Sequence, residues 1–310
     1  MKLAGTISVD VDTLHSIFKG RNLALGQEYD WSEFEEGLVN ICKLFDEFDI
    51  RSTLFCTGYD FTITKNQKII KDVYLRGHEI ANHGMNHVQG LRFLSRKEKE
   101  NEIVEFEQIC QEIIGERPVG FRAPGWNIDE QVLELLIERG YKYDSSIFPT
   151  YLMPVMKIMH YFKMATCSYP ERTTLGRLSY MFCPVRPYKT QSISFWPGSG
   201  GIWEFPITVA GYLRFPFFAT VLFKLGFDSF KKFYYKIKDN KNPVQFMLHL
   251  FDFVDFSKRC YSQQIINLKG VYVPQSISMP YKKKLDLLKR AIDVMIGDYN
   301  FKTYRERCIE

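Results

Sequence analysis

The stretch Leu3-Ala4-Gly5-Thr6-Ile7-Ser8-Val9-Asp10-Val11-Asp12 reads as an apolar strand running straight into two carboxylates. Alternate residues of an extended strand share a face, so Asp10 and Asp12 point the same way. Further on, a second strand-like segment delivers His83-Gly84-Met85-Asn86-His87. A helical turn there would bring both imidazoles to one side. One carboxylate and two imidazoles can hold a divalent cation and leave positions open for water and substrate. The other carboxylate stays available as a base. The combination predicts a metal-dependent hydrolase.

The rest of the first half alternates strand and helix signals, which predicts parallel strands with crossover helices. Strands are expected at 3–9, 52–57, 79–82, 119–122 and 141–145, with helices at 31–48 and 67–76. Ser95-Arg96-Lys97-Glu98 is a capping box opening a helix on which Ile103, Phe106, Cys110 and Ile113 share a face. Asp129 caps the next helix and Gly140 ends it. From about 150 to 242 the chain is rich in aromatics, Pro and Gly, and is expected to form an insertion packed on a barrel. Alternation returns with a strand at 244–251, a helix at 281–296 and a strand at 301–304. All of 1–310 is read as one domain. The carboxyl ends of parallel barrel strands converge on one face, where sites are built.

The 310 residues carry 45% hydrophobic and 15% aromatic side chains, enough for a packed core, and a mild net charge of +5. That charge suits anionic sugars, lipid phosphates or nucleic acid and selects none of them. The basic residues are spread out and no nucleic-acid motif appears, so nucleic acid is not expected as a partner. Seven cysteines without a CxxC pair fit a reducing compartment. A signal-peptide cleavage would remove the strand carrying Asp10 and Asp12, so a cytoplasmic location is expected. The apolar run 213–227 is followed by a basic stretch to Lys241. It suits either a surface-seeking amphipathic segment, peripheral at the inner membrane, or a buried helix with a solvated basic tail.

Taken in order, Asp10-x-Asp12, Thr53-Leu54-Phe55, Gly77-His78-Glu79-Ile80-Ala81-Asn82-His83 with His87, Phe121-Arg122-Ala123-Pro124, Tyr143-Asp144-Ser145-Ser146 and Leu248-His249 resemble the NodB-type polysaccharide deacetylases. The resemblance covers about residues 5–150 and resumes at Glu204-Phe205-Pro206 and 244–252. It implies a distorted (β/α) barrel of about seven strands. Asp12, His83 and His87 would be metal ligands, with Zn2+ expected and Co2+, Ni2+ or Fe2+ as alternatives. Asp10 would be the general base, Arg122 would orient it, and His249 would protonate the leaving amine. Asp144 would tune His249. Pro124, Trp126, Tyr143 and Glu204 would face the substrate.

Two departures stand out. Asp10-Val11-Asp12-Thr13 replaces the adjacent aspartates of many members and resembles the branch of intracellular deacetylases and a deformylase of lipid-linked aminoarabinose. Leu250-Phe251 replaces a common proline after the histidine. The expected substrate is an N-acylated, usually N-acetylated, amino sugar, nucleotide- or lipid-linked. The alternatives are hydrolysis of a non-sugar cyclic amide and an inactive sugar-binding module.

Overall fold

The computed structural model describes residues 2–20, 32–164, 175–258 and 275–309. Twelve strands occur among them: β1 (Leu3–Val11), β2 (Thr53–Cys56), β3 (Glu79–Asn82), β4 (Gly120–Phe121), β5 (Tyr143–Asp144), β6 (Tyr188–Gln191), β7 (Ser194–Pro197), β8 (Gly200–Glu204), β9 (Val209–Ala210), β10 (Phe215–Pro216), β11 (Val244–His249) and β12 (Tyr299–Phe301). The main sheet runs β11-β1-β2-β3-β4-β5-β8-β6-β7. It is parallel from β11 through β8, and β6 and β7 extend it antiparallel. Thr208, just past β8, accepts the Gln245 backbone N–H on β11 (2.7 Å) and donates to the Gln245 side chain (2.9 Å). This side-chain bridge draws the two ends of the parallel set together into a distorted α/β barrel.

Period-two patterning on β1 explains its position. Ile7, Val9 and Val11 are fully buried against Phe34, Leu38 and Ile41 of the helix Glu33–Glu47. Burying each such side chain contributes about 2 kcal/mol. The alternate residues Ser8 and Asp10 face the other way, into the barrel. Below them Phe55, Ala81, Tyr143, Phe205 and Tyr304 plug the interior. Gly120 is required beside this plug: a Cβ there would lie 1.8 Å from the Tyr143 ring.

The helix expected at 31–48 is Glu33–Glu47, and the Ser95 capping box is formed as read; Trp31 lies outside the described residues. The stretch 150–242 does more than pack on the barrel, because it supplies strand β8 itself. Residues 213–227 contribute β10 and the start of the helix Ala219–Asp239, which turns at Gly226. Leu222, Phe223, Phe230, Tyr234 and Ile237 of that helix enter the main core, while Leu213 and Leu225 of the run stay exposed. No helix among the described residues is long and apolar enough to cross a membrane. The terminal strand begins earlier than expected, at Tyr299, and Tyr304 opens a short helix instead.

Candidate active site

The carboxyl end of the barrel gathers chemistry from five strands. Asp10 on β1 is in register with His249 on β11. His83 follows β3, Arg122 follows β4, and Asp144 closes β5. Arg122 is wholly buried. Its Nη1 donates to Asp10 Oδ1 (2.6 Å) and Ser8 Oγ (3.1 Å). Its Nε donates to the Ser145 carbonyl (3.0 Å) and its Nη2 to Ser145 Oγ (2.9 Å), while the guanidinium lies 4.0 Å over the Phe55 ring. A planar fork held on every edge fixes the carboxylate it grips. Burial opposes the charge on Asp10, yet Arg122, helped by His83 and His249, outweighs it and holds the pKa below the usual carboxylate value.

Asp12 sits in the opposite condition. Burial and the adjacent Asp10 charge push its pKa well up. Its Oδ1 is buried without a hydrogen-bond partner, and its Oδ2 lies 3.5 Å from His87 Nε2. The His83 and His87 rings are 5.1 Å apart. His83 Nδ1 meets the Arg122 carbonyl at 2.7 Å; a carbonyl only accepts, so Nδ1 carries the hydrogen and Nε2 presents a lone pair. No helical turn joins the two histidines. They sit on a loop in which Gly84 (φ 81°) and His87 (φ 54°) adopt the left-handed region. Asn82 Oδ1 accepts the Gly84 N–H (2.7 Å), and the Glu102 carboxylate accepts the Asn86 N–H (2.9 Å) and side-chain amide (2.7 Å).

Among the described residues, no three His, Cys, Asp or Glu side chains close into a finished cation cage. The donor chemistry still fits a divalent cation: an orphaned buried carboxylate oxygen beside one imidazole, and a second imidazole whose tautomer is fixed by its other nitrogen.

Four of the expected positions differ from the reading. Tyr143 is fully buried in the barrel plug and donates to Glu79 Oε1 (2.9 Å), so it offers no cleft surface. Glu204 is equally buried; it accepts the Ile147 N–H (3.1 Å) and feels the charge of Asp144. Asp144 is engaged by Ser146, through backbone N–H (2.9 Å) and hydroxyl (2.7 Å), rather than by His249. Burial raises both carboxyls, Glu204 the further because it also feels the Asp144 charge. Pro124 is buried too, in the turn Pro124–Trp126. Trp126 alone of the four substrate candidates is partly exposed, packed at 4.7 Å on Phe148.

Two carboxylates escaped the reading. Asp60 is buried, accepts Thr13 Oγ1 (2.8 Å) and Thr57 Oγ1 (2.5 Å), and is raised to about 6 by burial. Asp252 is buried and accepts the His249 backbone N–H (2.9 Å). Its place three residues after His249 was the available signal.

Residues 25–143 match the family model described as polysaccharide deacetylase. A peptidoglycan deacetylase of Helicobacter pylori is 30% identical over 114 residues, 36% of this chain and 38% of that protein. Residues 25–143 are therefore similar to the polysaccharide deacetylases. The match thus spans well under half of that curated relative. Two solved structures share the fold of this chain at 17% identity. One, from Mycobacterium smegmatis and assigned to the polysaccharide deacetylases, covers 99% of this chain and 89% of its own with a TM-score of 0.64. The other, an allantoinase, covers 99% and 88% with a TM-score of 0.57.

Proposed function

We propose that this protein hydrolyses the N-acyl group, most simply acetyl, of an amino sugar with the help of a divalent cation. The observation that carries the reading is the buried Arg122–Asp10 pair beside Asp12 and the two imidazoles. Asp12, His83 and His87 would hold the cation, Zn2+ first. Once bound, a cation polarises the acyl carbonyl and acidifies water.

The remaining work falls to the chain's own residues. Asp10, kept ionised and immobile by Arg122, accepts the proton of the attacking water. His249, half-buried and in register with Asp10, supplies a proton to the departing nitrogen, without which an amine is a very poor leaving group. Trp126, partly exposed at the rim, offers a face to a sugar ring.

A cytoplasmic nucleotide- or lipid-linked precursor remains the favoured substrate. A lipid carrier would meet Val155, Ile158, Met159 and Phe162, all more than half exposed on the helix Met153–Met164. Vesicle flotation of the protein with lipids of the carrier type checks that part.

The decisive experiment couples metal analysis to primary-amine release on N-acetylglucosamine oligomers, nucleotide-linked and lipid-linked N-acyl sugars, and cyclic ureides. Amine release by wild type and its loss in Asp10→Asn support the proposal. Turnover of the ureides alone moves the assignment to a cyclic amide. Binding of oligomers without turnover leaves a sugar-binding module.

A further inference from the structure

Resting on the deacetylase reading above, we propose that Lys284 is a positioning residue for His249, acting through the turn that follows β11. Lys284 belongs to the helix Tyr281–Ile296, whose buried face consists of Leu287, Leu288, Ala291, Ile292 and Met295. Lys284 falls on that same face and is completely buried. An amine at such a position costs more than a leucine would unless its hydrogen bonds are met. A polar residue that breaks an otherwise consistent apolar face marks a constraint other than packing.

Its hydrogen bonds show what that constraint is. Lys284 Nζ donates to the carbonyls of Phe251 (2.8 Å) and Val254 (2.7 Å). One of these carbonyls lies within the short 3-10 turn Leu250–Phe253 and the other just past it; the turn begins at the residue after His249. The Phe251 ring lies flat on the His249 imidazole, with centroids 4.7 Å apart and planes 13° from parallel. The same turn returns the Asp252 carboxylate to the His249 backbone N–H at 2.9 Å. One buried side chain therefore fixes the turn, the turn fixes an aromatic platform, and the platform fixes the plane of the imidazole. Asp252, Asp255 and Glu36 are the acidic groups whose charges face the amine.

An acid that must meet a departing nitrogen is sensitive to small misplacement, which can cost as much as about a hundredfold in rate. Trp126, the proposed sugar contact, stands on a different turn, Pro124–Trp126. Lys284→Met, which keeps the length and removes the donors, is expected to lower kcat about tenfold or more with KM nearly unchanged. Lys284→Arg, which keeps donors, is expected to recover part of the loss. In the NMR spectrum the His249 ring protons, shifted by the stacked Phe251 ring, should move in Lys284→Met.

The experiment measures kcat and KM on the best N-acyl sugar, the His249 resonance and the thermal melt for wild type, Lys284→Met, Lys284→Arg and Phe251→Leu. A folded Lys284→Met with wild-type kcat and an unmoved His249 resonance overturns the proposal. Should Lys284→Met fail to fold, Phe251→Leu decides: a kcat loss at constant KM supports the platform, and wild-type kcat overturns it. Should the wild type release no amine from any N-acyl sugar, the functional reading fails, and the His249 resonance still decides whether Lys284 positions the ring.

Discussion

Asp12 Oδ2 lies 3.5 Å from His87 Nε2, while Asp12 Oδ1 is buried with no hydrogen-bond partner. A carboxylate in that condition, next to the charge of Asp10, destabilises the cation-free protein, and as the proposed ligand it would serve a cation instead. Asp12→Asn should therefore melt no lower than wild type once both are treated with chelator. It should also lose the stoichiometric metal that wild type retains. Metal content by elemental analysis, with parallel melts, checks both; a chelated variant melting well below wild type would contradict the account.

Arg122 should tolerate no substitute. Its donors are divided among Ser8, Asp10 and both polar groups of Ser145, and lysine cannot reproduce that fork. Arg122→Lys is expected to reduce kcat by about a hundredfold, since the base loses its fixed geometry. Arg122→Met should in addition unfold more easily, by about 3–5 kcal/mol, because Asp10 is left buried and uncompensated. Steady-state kinetics and urea denaturation separate the two effects.

Glu102 shapes the histidine loop through the residues around His87. Its two oxygens hold the backbone and side chain of Asn86, one residue before His87, and its carbonyl accepts the Met85 N–H (3.0 Å). Removing such outer support commonly weakens metal affinity about 10–100-fold. Glu102→Ala should show that loss in competition with a fluorescent chelator, and Glu102→Gln, which keeps one acceptor, a smaller one.

Much of this was legible from residue types and order. The β1 alternation, apolar toward the helices and polar toward the interior, is period-two patterning, and it placed Asp10 opposite His249 once the strands were parallel. The conformation of the His83–His87 loop was not legible, because four-residue spacing says nothing about two left-handed residues between strand and helix. Nor was depth inside the barrel. Tyr143 and Glu204 read as cleft residues since strand ends point toward a site, yet the interior is thick enough to swallow both. Lys284 carries no motif of its own, and only the packing of a distant helix under the β11 turn connects it to His249, whereas Asp252 reaches the His249 N–H from within that turn.

His78 stands next to the strand that leads to the histidine pair and is not aimed at the site. Its Nδ1 accepts the Ser52 backbone N–H (3.2 Å) and meets Ser52 Oγ at 3.0 Å. Protonating Nδ1 would turn that acceptor into a donor facing an N–H, and burial, with the charge of Arg51, lowers the His78 pKa from 6.5 to about 4. Between these values the unfolded chain binds a proton that the folded chain refuses. Stability from this residue is therefore complete above pH 6.5 and is lost as the pH falls toward 4, by on the order of 3 kcal/mol in all. His78→Asn, which keeps an acceptor near Ser52 but does not titrate, should be less stable than wild type at pH 7 through lost packing, with the gap narrowing toward pH 4. Urea unfolding of both proteins at half-unit steps across that window measures the difference directly. Two curves that stay parallel would mean that His78 takes up its proton equally in both states.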